Sequence, residues 1–223
     1  MKKKILLAML AVVLIVAMSV AGTLAFLSQK TETPLKNTFI AAGGGKIIDD
    51  EDDDDDNKDP INPNVKGFFL VEHKVEYADN NYSAVTPEEF VKTNSYDKVA
   101  PKMNLFKDPL LTVNVENEAE VYIFVKVSSD VALNNALSYE LTDDWTSLGG
   151  GVYVYKNAVQ TGADGIELNK VQILKDNKVV VADVDTFGDL NEGALGDLQF
   201  CAYICQAQGF DDASAAWAGC FGS

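Results

Sequence analysis

One histidine, three cysteines close to the C-terminus and a run of acids are the side chains whose type and spacing could do chemistry. Hydrolytic zinc needs several nitrogen, sulfur or carboxylate ligands, usually histidines. The chain has His73 alone and no H-E-x-x-H, and Glu72-His73 matches no metal motif. His73 therefore reads as a structural residue of a strand. A Cys–His nucleophile would have His73 as its only imidazole base. Cys201, Cys205 and Cys220 fit better as one disulfide and one leftover thiol, which leaves an intermolecular bond open. Cys201 and Cys205 share a strand face but stand about 13 Å apart at the strand rise, too far to bridge each other. Cys220 can reach one of them. The acidic run, Asp49 to Asp56, lacks the glycine and the closing glutamate of an EF-hand loop. Asp52, Asp54 and Asp56 are candidates for loose Ca²⁺ association; the plainer reading is a solvated spacer. No carboxylate pair stands out for glycoside chemistry, and there is no P-loop and no G-x-G-x-x-G. The expectation is a protein that is not an enzyme and holds no cofactor beyond loosely bound Ca²⁺.

The segment from Lys2 to Ile40 sets the context for these groups. Lys2, Lys3 and Lys4 precede an uncharged apolar run from Ile5 to Ala21, followed by Gly22-Thr23-Leu24-Ala25-Phe26. A positive start, an apolar centre and small residues at the end make a secretory signal over residues 1–25, cut between Ala25 and Phe26. Left uncut, the run extends to Leu27 and approaches the ~20 residues a bilayer needs, which makes it an anchor. In either case the lysines stay inside and the remainder goes outside. The formal net charge is −16, and the exported part is more acidic still. Such a surface repels phosphate backbones and anionic lipid, so nucleic-acid binding is excluded as a function class.

Residues 26–64 form an N-terminal segment. Asn37 to Ala42 reads as a short strand ended by Gly43-Gly44-Gly45, and the dense like charges that follow cannot bury a core. The folded domain spans 65–223. Val65 to Tyr77 reads as one strand, with Phe68, Leu70 and Glu72 on one side and Phe69, Val71 and His73 on the other. Asn80 to Ser83 is a turn. Thr86-Pro87-Glu88-Glu89 has a cap, a proline at the first helical position and a glutamate three residues on, which predicts a short helix from Pro87 to about Lys92. Leu110–Val115 and Val121–Val127 alternate most clearly, and the second is apolar on both faces, as a central strand would be. Further strands are expected at Val152–Tyr155, Lys170–Leu174, Lys178–Val184 and Leu198–Ala207. Asp176-Asn177 joins the middle two as a hairpin. Asp211 or Asp212 caps a short helix through Ala213 to Ala218. About eight short strands imply an all-β fold, a single jelly-roll-like β-sandwich with short helical insertions behind an N-terminal signal helix.

Four pieces together resemble a known family. They are the Gly22-Thr23-Leu24-Ala25-Phe26-Leu27 junction, Asn37-Thr38-Phe39-Ile40, Lys107-Asp108-Pro109 before a strand pair, and Ala202-Tyr203 with Gln206 to Ala213 and Ala215-Ala216-Trp217. The chain resembles the TasA/camelysin-like secreted proteins of Gram-positive bacteria, whose signals are cut by a SipW-type signal peptidase. The resemblance implies a jelly-roll-like sandwich, export to the cell surface or biofilm matrix, and in TasA-type members assembly into fibres. The freed N-terminal strand then adds to the next subunit. Thr38, Phe39 and Ile40 would be the exchangeable residues here, by main-chain hydrogen bonds to an open edge. The other reading makes Asn37 to Ala42 the first strand of its own sandwich. The expected partners are further copies of the chain, the signal peptidase and other matrix or cell-wall components. Camelysin-like members are described as metallopeptidases, but no ligand set in this chain matches that activity. A rival expectation is a monomeric module for a glycan or cell-wall ligand, with Trp145, Tyr153 and Tyr155 lining a face.

Overall fold

The computed structural model describes residues 29–30, 35–41, 65–115, 120–130, 136–183 and 194–222. The segment read as a signal, with Ala25-Phe26, and the acids Asp52, Asp54 and Asp56 lie outside the described residues. In chain order the strands are β1 (Gln29–Lys30), β2 (Leu35–Ala41), β3 (Val65–His73), β4 (Val75–Ala78), β5 (Asn81–Ala84), β6 (Phe90–Val91), β7 (Thr93–Val99) and β8 (Asn104–Phe106). They continue as β9 (Leu110–Val115), β10 (Val121–Ser129), β11 (Leu137–Ser138), β12 (Trp145–Gly149), β13 (Val152–Tyr155), β14 (Ile166–Gln172), β15 (Lys178–Val181) and β16 (Ala194–Gln206). One described α-helix, α1 (Ala213–Cys220), closes the chain; no described helix is long and apolar enough to cross a membrane.

Strict alternation builds the main sheet. Val121, Ile123, Val125 and Val127 of β10 face the core, while Tyr122 and Phe124 face the opposite side. A strand apolar on both faces belongs in a sheet covered on both faces, and β10 lies between β13 and β16. The sheet order is β12-β13-β10-β16-β2-β7, with β1 also beside β16. Its described pairings are antiparallel except β2 with β7. Across the core lie β14-β9-β3-β6 and β11-β15-β8, with the hairpin β4-β5. One cluster joins the layers: Ile123, Val125 and Phe200 meet Leu111 and Val113 of β9, Leu105 of β8 and Val179 of β15. The described chain is thus an all-β, sandwich-like fold.

The outer face of the main sheet is closed by α1. Asp212 caps it, its carboxylate accepting from Ala215 N at 2.8 Å. Ala213 and Ala216 are buried against Phe124, Val154 and Cys205, and the Trp217 ring lies 5.4 Å from Phe124 and 4.9 Å from Tyr203. Cys205 is bonded to Cys220, which staples the end of the helix to β16; Cys201 is not part of the disulfide. The bond closes a separation of 15 residues. Cys220→Ala is expected to cost about 3 kcal/mol of unfolding free energy, read from urea melts. Asp212→Ala, which orphans the Ala215 N–H, should cost about 1 kcal/mol in the same assay.

Several expectations are corrected. Residues 86–89 form no helix; the chain bends at Thr86-Pro87, which are joined by a cis bond, and Phe90-Val91 become β6 on the edge of β3. Lys74 N donates to Glu89 O at 2.8 Å, so sheet pairing claims the backbone that a helix would need. Val65 to Tyr77 is two strands, broken at Lys74 and assigned to different sheets. The turn expected at Asn80 to Ser83 falls at Asp79-Asn80, both at positive φ (51° and 62°), the conformation a tight hairpin needs. β14 and β15 are not a hairpin: β14 pairs with β9, and β15 with β8 and β11. Between them Ile173 and Leu174 are both buried, so the chain passes through the core there instead of turning back on itself. More than the expected eight strands form. The additional β7 and β8 carry too many polar residues to read as alternating.

Candidate functional site

Beside the strand β2 the core contains charge. The alternation that buries Leu70 carries Glu72 to the same face, where its side chain is 0 % exposed. The connection from β8 to β9 brings Lys107 and Asp108 inward, anchored by Lys107 N donating to Asn177 O at 2.8 Å and followed by the buried Pro109. Lys107 is likewise 0 % exposed in its side chain, and its Nζ rests against Glu72 Oε2. Asn94 of β7 donates from Nδ2 to Glu72 Oε1 and to His73 O, each at 2.8 Å, and accepts from Val75 N at 3.0 Å. His73 N donates to Asp108 Oδ1 at 3.1 Å, and His73 Nδ1 is bonded to Asp108 Oδ2. His73 Nε2 faces Glu88 Oε2 at 3.6 Å, and the ring stacks at 4.4 Å on Phe90.

Burial dominates the electrostatics. It pushes the Glu72 carboxyl up, with Lys107 opposing, and pushes the Lys107 amine down, with Glu72 opposing. Both directions favour the uncharged forms. Tyr96 is pushed well up, chiefly by burial and then by the nearby charges of Glu72 and Asp108. Its hydroxyl donates to Phe106 O at 2.8 Å. The Lys107 ammonium position lies 5.4 Å from the Phe200 ring. Phe200 is opposite Leu35 on one side of β2, and Asn94 and Tyr96 are opposite Asn37 and Phe39 on the other. The cluster thus bonds to or touches both strands that flank β2.

The sequence-derived site residues fall as follows. Thr38 is opposite Asp197 and Ser95, Phe39 opposite Gly196 and Tyr96, and Ile40 opposite Ala194. A register shift sits at Gly196, whose φ is +111°; a Cβ there would meet the Asp130 side chain at 2.5 Å, so only glycine fits beside Phe39. Trp145 and Tyr155 are buried in the core, with Trp145 Nε1 donating to Gln172 O at 3.1 Å, and Tyr153 is partly buried against it. They do not form an open aromatic face. His73 is joined to Asp108 and Glu88 rather than to a cysteine. Among the described residues no group of three or more His, Cys, Asp or Glu is placed to hold a metal ion. Sequence reading missed Asn94, Lys107 and Asp108 as a site. A signal existed for Glu72, which falls in phase with Phe68 and Leu70. No family model, curated protein or solved structure matches this chain.

Proposed function

We propose that the chain is a secreted structural protein of the cell surface or matrix, a jelly-roll-like sandwich that self-associates by exchanging its N-terminal strand. One observation carries the reading: β2 is hydrogen-bonded along both edges, antiparallel to β16 and parallel to β7, while residues 42–64, with the acidic run, connect it to β3. A strand taken out of that slot exposes two edges at once. The same strand from a second copy satisfies both without new chemistry. Such a contact is head-to-tail and does not close, so it grows filaments. The lysine-led apolar start, the Ala25-Phe26 junction and the resemblance to TasA-type proteins support export and release of the segment that carries β2. Signal peptidase acts once; the lasting partners are copies of the chain and other matrix components, with Ca²⁺ at most a loose companion of Asp52, Asp54 and Asp56.

Strand addition in trans tests this. A labelled peptide spanning Leu35 to Ala41 should bind one-to-one to protein that starts at Gly43. The full mature chain, whose slot is filled, should take it up far more slowly. A folded Gly43 form that ignores the peptide contradicts the reading.

A further inference from the structure

We propose that Lys107 and Glu72 condense into an intramolecular isopeptide bond. The amine and the carboxyl are in contact, and both side chains are 0 % exposed. Two opposite charges removed from water recover their lost hydration only with excellent geometry and full hydrogen bonding. Condensation removes both charges. The remaining contacts are those an acyl transfer requires. Asn94 Nδ2 donates to Glu72 Oε1 at 2.8 Å, so that oxygen is held where negative charge would gather. Lys107 Nζ rests on the other oxygen, Oε2, which is then the leaving group. Asn94 is fixed in that orientation by His73 O and Val75 N. Burial pushes the amine toward its free-base form and the carboxyl toward its protonated form, the two forms that condensation uses.

The step balances without a co-reactant. The Lys107 Nζ lone pair adds to Glu72 Cδ, forming the C–N bond and placing negative charge on Oε1. One proton passes from Nζ to the Oε2 hydroxyl. The Cδ–Oε2 bond breaks, Oε1 becomes the amide carbonyl, and one water leaves. The product ties β3 to the β8–β9 connection across a separation of 35 residues, joining two sheets of the second layer. The link stands independently of strand exchange.

Intact mass of the denatured, reduced mature protein, followed by peptide mapping, tests it. The expected result is a chain one water lighter than its sequence, with a branched peptide joining Lys107 to Glu72. Lys107→Met should carry its full sequence mass. Asn94→Ala, losing the donor on Oε1, should form the link about 10²-fold more slowly after refolding. Wild-type protein at full mass, with residues 72 and 107 in separate peptides, overturns the proposal whatever the variants do. A chain lighter by one ammonia, with Lys107 joined to Asn94, overturns it as well.

Discussion

Lys107→Met should lower the unfolding free energy by about 1–3 kcal/mol, beyond any loss of the covalent tie, because it strips the partner from a carboxyl that is fully buried. Glu72 would keep one hydrogen bond, from Asn94, and nothing to offset its burial on the other oxygen. Methionine matches the lysine stem in length, so the cavity term is small and the loss reports the polar partner. Lys107→Met combined with Glu72→Leu should recover much of that loss, since replacing a buried pair by apolar groups of similar volume is often neutral. The covalent tie is missing from both variants. The shortfall of the double variant against wild type therefore measures what the tie contributes. Urea melts of the three proteins give the comparison. A single variant within about 0.5 kcal/mol of wild type, the range of an ordinary surface change, would mean that Lys107 has no such role.

Phe39→Asp is expected to abolish assembly while leaving a folded monomer. Phe39 sits opposite both Gly196 and Tyr96, midway along the strand that would be exchanged. Aspartate is disfavoured in strands, and a charge on a strand that must enter another copy's slot blocks its addition. Residues 65–222 still supply the apolar cluster of the sandwich and the Cys205–Cys220 staple. Far-ultraviolet circular dichroism should keep its β signature, and light scattering should report a monomer. Filaments from this variant at wild-type yield would sink strand exchange through β2.

How much could be read in advance follows from how each element buries itself. β9, β10 and β16 were legible because apolar residues fall on every second position, and α1 because Asp212 stands at its cap. β7 was not, because its buried positions are Asn94, Tyr96 and Val99, two of them polar and the last out of step where the register with β2 shifts. The Thr86-Pro87-Glu88-Glu89 run has the local chemistry of a helix start, and tertiary pairing with β3 overrode it. Glu72 could be placed on the core face from its phase with Phe68 and Leu70. Its partner could not, since Lys107 is 35 residues away in an irregular connection and spacing carries no trace of it. Cys220 was within reach of either cysteine on β16; only the docking of α1 over Cys205 decides between them.

The most direct measurement is the size distribution of the chain cut at the proposed Ala25-Phe26 junction, Phe26 to Ser223, the mature form of the proposal, beside a form that starts at Gly43. Light scattering and negative-stain microscopy across concentration and pH read it. Filaments from the mature form and none from the shorter one are the predicted result, with β2 as the connector. Two monomers under every condition, or equal filaments from both, would contradict it.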